Sequence, residues 1–268
     1  MSGAGQPLWR RRSRAAELLR WLGWLLLVLL FVVCWTLMTQ EQIWEFVWDA
    51  PTQAADLFSR MVPPRWSYMD SLWLPLWDTL NIATLGTLLA LLIAVPVAFL
   101  AARNTTPSLL LVRPVALFII VASRSVNALI WALLLVTILG PGLLAGVIAI
   151  ALRSVGFIGK LLYEAIEEID TRQVEAVRAT GAGPAQVLDY GIVPQILPAF
   201  AGIAVFRWDI NIRESTVLGL VGAGGIGLQL KASVDVLAWP QVTLIFIVIL
   251  ATVIASEWLS ARVRRALI

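Results

Sequence analysis

The chain has 268 residues and a net charge of +3; 60% of its residues are apolar and 14% are charged, against about 25% charged residues in soluble domains. This balance excludes a soluble globular protein and indicates an integral membrane protein. The chain has no histidine, the commonest general base and transition-metal ligand, so neither metal-centred nor histidine-dependent catalysis is expected.

Long apolar runs predict an all-α, polytopic transmembrane helical bundle, because about 20 residues are needed to cross the hydrocarbon core. Six runs qualify: 18–38, 74–101, 115–139, 142–162, 196–220 and 240–259. We expect the first to be an uncleaved helix, since it is longer than the apolar core of a signal peptide. It contains Cys34, the only cysteine, so no intrachain disulfide can form.

Basic residues predict the orientation of the chain. They cluster at alternate ends of the six runs: Arg10, Arg11, Arg12, Arg14, Arg20, Arg103, Arg113, Lys160, Arg172, Arg178, Arg262, Arg264 and Arg265. The positive-inside rule then places both termini in the cytoplasm. The predicted parts are a basic cytoplasmic tail (1–17), a first transmembrane helix with an extracytoplasmic loop (18–73) and a helical core (74–268). Basic residues at span ends favour membrane lipid, and not nucleic acid, as the partner.

Ionisable residues inside the predicted spans are candidates for the functional site, because a charge in the membrane is costly and usually faces a cavity or a partner. The candidates are Asp78, Arg124, Arg153, Arg207, Asp209, Arg213 and Glu214. Asp209 and Arg213 stand one helical turn apart, so they can also form a purely structural ion pair.

Arg124 falls near the middle of the third predicted span, within Ser123-Arg124-Ser125-Val126-Asn127. A guanidinium, two hydroxyls and an amide together supply the donors that a tetrahedral oxyanion needs. Alternatively, Arg124 pairs with Asp78 or Glu214 and fixes helix packing.

The segment 163–195 is polar and lies on the cytoplasmic side in this orientation. Its apolar residues Ile166, Ile169, Val174 and Val177 recur at helical spacing, which predicts an amphipathic helix. Gly181-Ala182-Gly183-Pro184 is expected to end that helix and to start a second short one reaching about Tyr190. An ordinary solvated loop helix is the alternative.

The same segment resembles the Glu-Ala-Ala signature of permease subunits of ATP-binding cassette importers. Glu175, Ala176, Gly181 and Pro194 match that signature, whereas Val177, Gly191 and Val193 depart from it. The resemblance implies a coupling helix that inserts into a groove on a separate ATPase subunit. The residues expected to form this contact are Glu175, Ala176, Arg178, Gly181, Ala182, Pro184 and Pro194.

Gly222-Ala223-Gly224-Gly225-Ile226-Gly227 satisfies the G-x-G-x-x-G pattern, but that pattern indicates dinucleotide binding only between a strand and a helix. Here an apolar span precedes it, and the chain has no phosphate-binding loop with a G-K-[ST] ending. Gly222, Gly224, Gly225 and Gly227 are therefore expected to form a tight turn near an outer gate, or else to contact substrate directly.

Residues 211–227, and the chain from about 75 to 260, closely resemble permeases of phosphonate importers and more loosely those of methionine importers. The resemblance implies a type I importer permease fold, a bacterial inner-membrane location and a substrate such as phosphonate, phosphite or hypophosphite. Asn127 and Ala128 replace the Pro-Glu pair that is usual in the phosphonate permeases, which leaves the exact oxyanion open.

The resemblance also implies the partners: a second permease copy, with a homodimer favoured over a paralogue pair, two ATPase subunits that hold ATP and Mg²⁺, and an extracytoplasmic binding protein. The chain itself is expected to be neither an enzyme nor a cofactor-binding protein. The alternative is a secondary transporter of a small anion driven by an ion gradient, although we find no repeat between the two halves.

Overall fold

The computed structural model describes residues 14–267. Most of the predicted tail 1–17, including Arg10, Arg11 and Arg12, lies outside the described residues. Within the described range the chain forms helices and turns, as predicted, and it divides into two compact units between Asp56 and Leu57.

The first unit contains α1 (Arg14–Thr39) and most of α2 (Trp44–Met61). α1 includes the predicted first span, and its side chains from Ala15 to Met38 are all exposed, as expected of a helix whose environment is lipid. α2 lies in the segment that the sequence predicted as a loop.

After the last residues of α2, the second unit continues through a 3₁₀ turn, nine helices and one π-helical turn. They are the 3₁₀ turn Trp66–Leu72, α3 (Trp73–Ala101), α4 (Val112–Ser125), α5 (Ala128–Leu139), α6 (Leu143–Glu167), α7 (Thr171–Ala179), α8 (Pro184–Gln186), the π turn Val187–Ile192, α9 (Val193–Gly219), α10 (Ile226–Asp235) and α11 (Trp239–Leu267). The helices α3, α6, α9 and α11 coincide with predicted spans, apart from their end residues.

The predicted continuous span 115–139 is wrong. α4 and α5 meet at an angle of 88°, so five described helices are long and apolar enough to cross a membrane and the bent pair could form a sixth span. The break arises because Val126 is extended and Asn127 caps a new helix, with its Oδ1 accepting from the backbone N of Leu129 at 3.1 Å. Arg124 therefore lies in the last turn of α4, beside the break, and not within a continuous helix.

Small residues bring α3 and α6 close together at the centre of the second unit. Ala83, Ala90 and Ala94 of α3 are completely buried, as are Ala149 and Ile150 of α6. A Cβ on Gly86 would lie 2.7 Å from Cγ2 of Ile150, so only glycine permits this approach. Membrane helices pack in this way because lipid gives no hydrophobic force between them and close van der Waals contact must supply the attraction.

Candidate coupling surface and charged network

α7 is a separate short helix, and the predicted single amphipathic helix through Ile166 and Val177 is wrong. α6 ends at Glu167, and Asp170 caps α7 by accepting from the backbone N of Arg172 at 2.9 Å. The predicted ending of this helix is confirmed, because Gly181 follows it with φ of +82°.

The predicted short second helix from Pro184 does not stop near Tyr190. Pro184 does begin α8, as expected, but the chain stays helical through the π turn into α9. The wider turn lets the backbone N of Val193 donate to the carbonyl of Leu188, beside Pro194, which has no N–H.

The apolar side of α7 packs on the π turn Val187–Ile192 and shares a buried cluster with residues of the long helices. Val174 is 7% exposed and belongs to a buried cluster with Ala98 of α3, Leu162 of α6 and Ile196 of α9. Gly191 of the π turn faces α7, since a Cβ at this position would lie in ordinary van der Waals contact, 3.4 Å from Cα of Val174. A displacement of α7 would therefore act first on the π turn, which continues directly into α9.

Gln195 ties the beginning of α7 to α9. Its Oε1 accepts from the backbone N of Asp170 at 2.9 Å, and its Nε2 donates to the carbonyl of Gly191 at 2.6 Å. This polar link joins the cap of α7 to the first turn of α9, where sequence reasoning identified no functional residue.

The opposite side of α7 and its flanks is exposed. Six of the seven predicted contact residues are exposed and Ala182 is half-buried; the six are Glu175, Ala176, Arg178, Gly181, Pro184 and Pro194. Among the described residues, neither Glu175 nor Arg178 forms an ion pair. The segment thus presents a free polar face on an apolar base, which is the arrangement a docking element requires.

The connection between α3 and α4 lies at the same end of the bundle as α7. Oε1 of Glu167 accepts from the backbone N of Arg103 at 2.9 Å and from Nη2 of Arg113 at 3.4 Å. Nδ2 of Asn104 donates to the carbonyl of Ile166 at 2.5 Å. Two of the arginines used to predict the orientation, Arg103 and Arg113, are therefore beside the coupling segment.

A polar network crosses the interior of the bundle and is centred on Arg207. Its Nη2 donates to Oε2 of Glu214 at 3.0 Å and its Nε donates to Oγ of Ser154 at 2.9 Å. The side chain is 3% exposed, and the guanidinium lies over the ring of Phe157 at 5.1 Å from its centroid. A buried cation is thereby compensated by a carboxylate, a hydroxyl and an aromatic face.

The network continues from α6 and α9 to α3. Oγ of Ser154 donates to Oδ1 of Asn211 at 3.2 Å, and Nδ2 of Asn211 donates to Oγ1 of Thr87 at 2.7 Å. Sequence reasoning missed Ser154, Asn211 and Thr87 as site residues. The signal that could have found them is their polarity within apolar spans, where an unpaired polar group is costly.

The structure shows the ion pair between Asp209 and Arg213 that the sequence offered as a structural alternative. Nη2 of Arg213 lies 2.6 Å from Oδ2 of Asp209, and Oγ of Ser256 donates to Oδ1 of the same carboxylate at 2.7 Å. Asp209 is buried whereas the Arg213 side chain is 45% exposed. α9 is thus linked to α11 by Ser256, another residue that sequence reasoning did not identify.

Arg124 is exposed and, among the described residues, has no hydrogen-bond or ion-pair partner, so the predicted pairing with Asp78 or Glu214 is wrong. Glu214 is occupied by Arg207, and Asp78 is half-buried near the start of α3. The neighbouring Arg153 donates through Nη1 to the carbonyl of Val126 at 3.1 Å, which holds the break between α4 and α5 in place.

The polar neighbours of Arg124 in sequence are engaged elsewhere. Oγ of Ser123 donates to the carbonyl of Leu152 and accepts from the backbone N of Gly156 at 2.8 Å, which joins α4 to α6. Oγ of Ser125 donates to the carbonyl of Val121 at 2.8 Å, and Asn127 caps α5. The structure does not gather these side chains around one point as the sequence hypothesis required.

The glycine-rich segment is a buried turn between α9 and α10. Gly222, Gly224 and Gly225 have φ of +94°, +82° and +71°, which side chains with a Cβ rarely adopt. A Cβ on Gly225 would lie 2.5 Å from Oγ1 of Thr79, and that hydroxyl accepts from the backbone N of Ile226 at 2.8 Å. A Cβ on Gly227 would collide with the carbonyl oxygen of Thr216.

This packing favours a structural turn over direct contact with substrate. The backbone N of Gly142 also donates to the carbonyl of Gly222 at 3.1 Å, so the turn fastens the α5–α6 connection as well as α3. The preceding element is a helix, so the context for dinucleotide binding is missing.

Comparisons with known proteins agree with the resemblance in the sequence. Residues 94–267 match the family described as binding-protein-dependent transport system inner membrane component. The chain is 44% identical over 211 residues to the phosphite transport system permease protein PtxC of Stutzerimonas stutzeri, covering 79% of this chain and 76% of that protein. It is 43% identical over 220 residues to the phosphate-import permease protein PhnE of Mycolicibacterium smegmatis, covering 82% of this chain and 41% of that one.

A solved structure of an inward-facing MetNI methionine ABC transporter resembles this fold. Its matching chain superposes with a TM-score of 0.66 at 22% identity, over 76% of this chain and 99% of that chain. At this level of identity the likeness concerns the fold alone.

Proposed function

Because this chain belongs to the family of binding-protein-dependent transport system inner membrane components, we propose that it is the permease subunit of an importer for a small phosphorus oxyanion. The fold is that of type I importer permeases, as the sequence resemblance implied. The observation that carries the proposal is the exposed segment around α7, whose apolar base belongs to a buried cluster that includes residues of three long helices. A transporter driven by an ion gradient has no use for such a docking element.

The substrate class is inferred from the relatives and from the chemistry of the chain. One relative is named for phosphite and another for phosphate, both tetrahedral phosphorus oxyanions. Phosphonate and hypophosphite share the same kind of oxygen acceptors. Guanidinium groups suit such anions because their planar donors can contact two oxygens together.

Arg124 is the residue that we propose contacts the anion during passage. Its exposed guanidinium has no protein partner among the described residues, and it stands beside the break between α4 and α5. Broken helices in transporters commonly border the substrate site. Asp78, half-buried and likewise without an ion-pair partner among the described residues, is a second pathway candidate.

The other charged candidates are proposed to position helices. Arg207 and Glu214 join α9 to α6 through Ser154, and Asp209 joins α9 to α11 through Ser256. Arg153 fixes the α4–α5 break, and Arg213 neutralises Asp209.

Coupling is proposed to run from the exposed face of α7 into α9. A separate ATPase subunit, which would hold ATP and Mg²⁺, contacts Glu175 and its neighbours. Movement of α7 passes through Gln195 and Val174 to α9, a helix about 40 Å long that carries the charged network. Two permease copies, each on one ATPase subunit, then alternate between outward-facing and inward-facing states around a shared pathway.

The proposed orientation has both termini and α7 in the cytoplasm of a bacterial cell, with an extracytoplasmic binding protein docking on the opposite side. The position of Arg103 and Arg113 beside Glu167 supports it, because cytoplasmic ends of spans carry the excess of basic residues.

Growth on defined phosphorus sources tests the substrate class. A bacterial strain that lacks its own uptake systems for these anions would express this chain with its ATPase and binding protein. The strain would also express the enzymes needed to use each anion. It would then grow with phosphite, hypophosphite, methylphosphonate or phosphate as the sole phosphorus source. We expect growth on at least one of these sources only when the chain is present. Failure to grow on any of the four sources when the chain and its partners are expressed would contradict the proposal.

A further inference from the structure

α2 is a strongly amphipathic helix that the proposed function does not use. Apolar side chains recur along one face at spacings of three and four: Trp44, Val47, Trp48, Pro51, Ala55 and Phe58. The opposite face carries Glu45, Asp49, Thr52, Gln53 and Asp56. With 100° between successive residues, the two sets occupy separate halves of the helix.

The apolar face of α2 is not covered by the described part of the chain. Trp48 is 81% exposed and Phe58 is 66% exposed, while Trp44 and Val47 are nearly half exposed. Contiguous apolar surface of this kind indicates contact with a membrane or with another protein.

The position of α2 in the chain favours the membrane. α1 is apolar along its length and ends at Thr39, and only residues 40–43 separate it from α2. Four extended residues reach at most about 14 Å, so α2 begins close to the membrane surface at which α1 ends.

The far end of α2 leads into a further span. A short connection and one 3₁₀ turn lead from Met61 into α3, whose first turns expose Trp73 (59%) and Trp77 (62%). Exposed tryptophans at the end of a span are typical of the boundary between headgroups and acyl chains. α3 ends beside Glu167 at the coupling end, so its beginning is at the opposite membrane surface.

We propose that α2 lies flat on a membrane surface, with its tryptophan-bearing face among the lipid acyl-chain ends and its acidic face toward water. The helix is connected at each end to a candidate membrane span. Its three carboxylates Glu45, Asp49 and Asp56 stay hydrated in this position. Pro51 on the lipid side cannot donate to the carbonyl of Val47, which headgroups and water can satisfy at the interface but hydrocarbon cannot.

Depth measurements on the full chain in nanodiscs of zwitterionic lipid test the proposal. A Cys34→Ser background removes the only native thiol, and Val47→Cys, Phe58→Cys and Thr52→Cys are each labelled with an environment-sensitive dye. We expect the dye at positions 47 and 58 to be quenched more by lipids spin-labelled near the headgroup than by aqueous iodide. The dye at position 52 should instead be quenched more by aqueous iodide than by the spin-labelled lipids.

Two results would overturn the proposal. Equal access of iodide to all three positions would mean that α2 stands in water. Protection of positions 47 and 58 from both quenchers would mean that a protein surface, such as a second copy, covers the stripe. Phe58→Cys carries the test if Val47→Cys does not give a monodisperse protein. The measurement needs no transport activity, so it is independent of the proposed substrate.

Discussion

Nη2 of Arg207 lies 3.0 Å from Oε2 of Glu214, two turns further along α9. The Arg207 side chain is 3% exposed and the Glu214 side chain is 24% exposed, so the pair is largely removed from solvent. A cation in this place needs its carboxylate, because the surrounding helices offer it only one hydroxyl and one aromatic ring.

Glu214→Gln should destabilise the fold by about 3 kcal/mol, since it leaves a buried guanidinium without its counter-charge. Thermal unfolding of the purified protein in detergent measures the loss. Replacing both partners, as Arg207→Met with Glu214→Leu, should recover most of the stability, because it removes the uncompensated charge.

The matched control is the exposed pair between Lys231 and Asp235, whose side chains are 50% and 58% exposed. Lys231→Gln should change the stability by less than about 1 kcal/mol. Equal effects of Glu214→Gln and Lys231→Gln would show that the Arg207 pair is not a structural element.

Gly227→Ala should prevent correct folding, because the added Cβ meets the carbonyl oxygen of Thr216 in the buried turn. Gly202→Ala is the control, since nothing lies within 4 Å of a Cβ there and alanine in a helix is favoured over glycine by up to about 1 kcal/mol. Each variant is fused to a fluorescent protein, and its size-exclusion profile shows whether it is monodisperse, as expected for Gly202→Ala, or aggregated, as expected for Gly227→Ala. If Gly227→Ala folds normally and only transport is lost, the glycine turn contacts substrate and the structural interpretation is wrong.

Gln195→Ala should weaken coupling without unfolding the bundle. The variant loses the two hydrogen bonds between Gln195 and the backbone of Asp170, at 2.9 Å to its N and 3.4 Å to its carbonyl, whereas the apolar base around Val174 remains. In the reconstituted complex we expect fewer anions transported for each ATP hydrolysed, with nearly unchanged thermal stability. Gln195→Glu keeps an oxygen that can accept from the backbone N of Asp170. Its number of anions transported for each ATP should therefore lie between those of the unmodified chain and Gln195→Ala. An unchanged ratio in Gln195→Ala would exclude this path of coupling.

Arg124→Gln should raise the substrate concentration needed for half-maximal uptake and leave stability unchanged, because the exposed guanidinium has no structural partner among residues 14–267. Arg124→Lys keeps the charge and should retain part of the activity. Arg153→Gln, which releases the Val126 carbonyl, should instead lower stability. Normal transport by both Arg124 variants would remove this residue from the pathway.

The sequence predicted the membrane class, most of the long spans and the ending of the short helix α7, because hydropathy and capping residues act over short stretches. Gly181 after α7 and Pro184 at the start of α8 are examples. It did not predict the break at Val126, because the residues on both sides of it are apolar and read as one span. The predicted span 115–139 also contains neither proline nor glycine, the residues that usually mark a bend in a helix. Asn127 was the residue that could have indicated the break, because asparagine is favoured at the N-cap position of a helix.

The charged network was only partly predictable. The pair Asp209–Arg213 follows the spacing of one helical turn, which the sequence shows directly. The partnership of Arg207 with Glu214 and Ser154 depends on how side chains point across two turns and on how α6 lies beside α9. Such contacts come from tertiary packing, which no local pattern encodes.

Uptake of radiolabelled phosphite, hypophosphite, methylphosphonate and phosphate into proteoliposomes tests the central claim most directly. We predict accumulation of at least one anion when the chain is reconstituted with its ATPase and supplied with binding protein and ATP, and no accumulation when any of these is omitted. Flux through the chain alone, without ATP or an ATPase, would contradict the account and favour a transporter driven by an ion gradient.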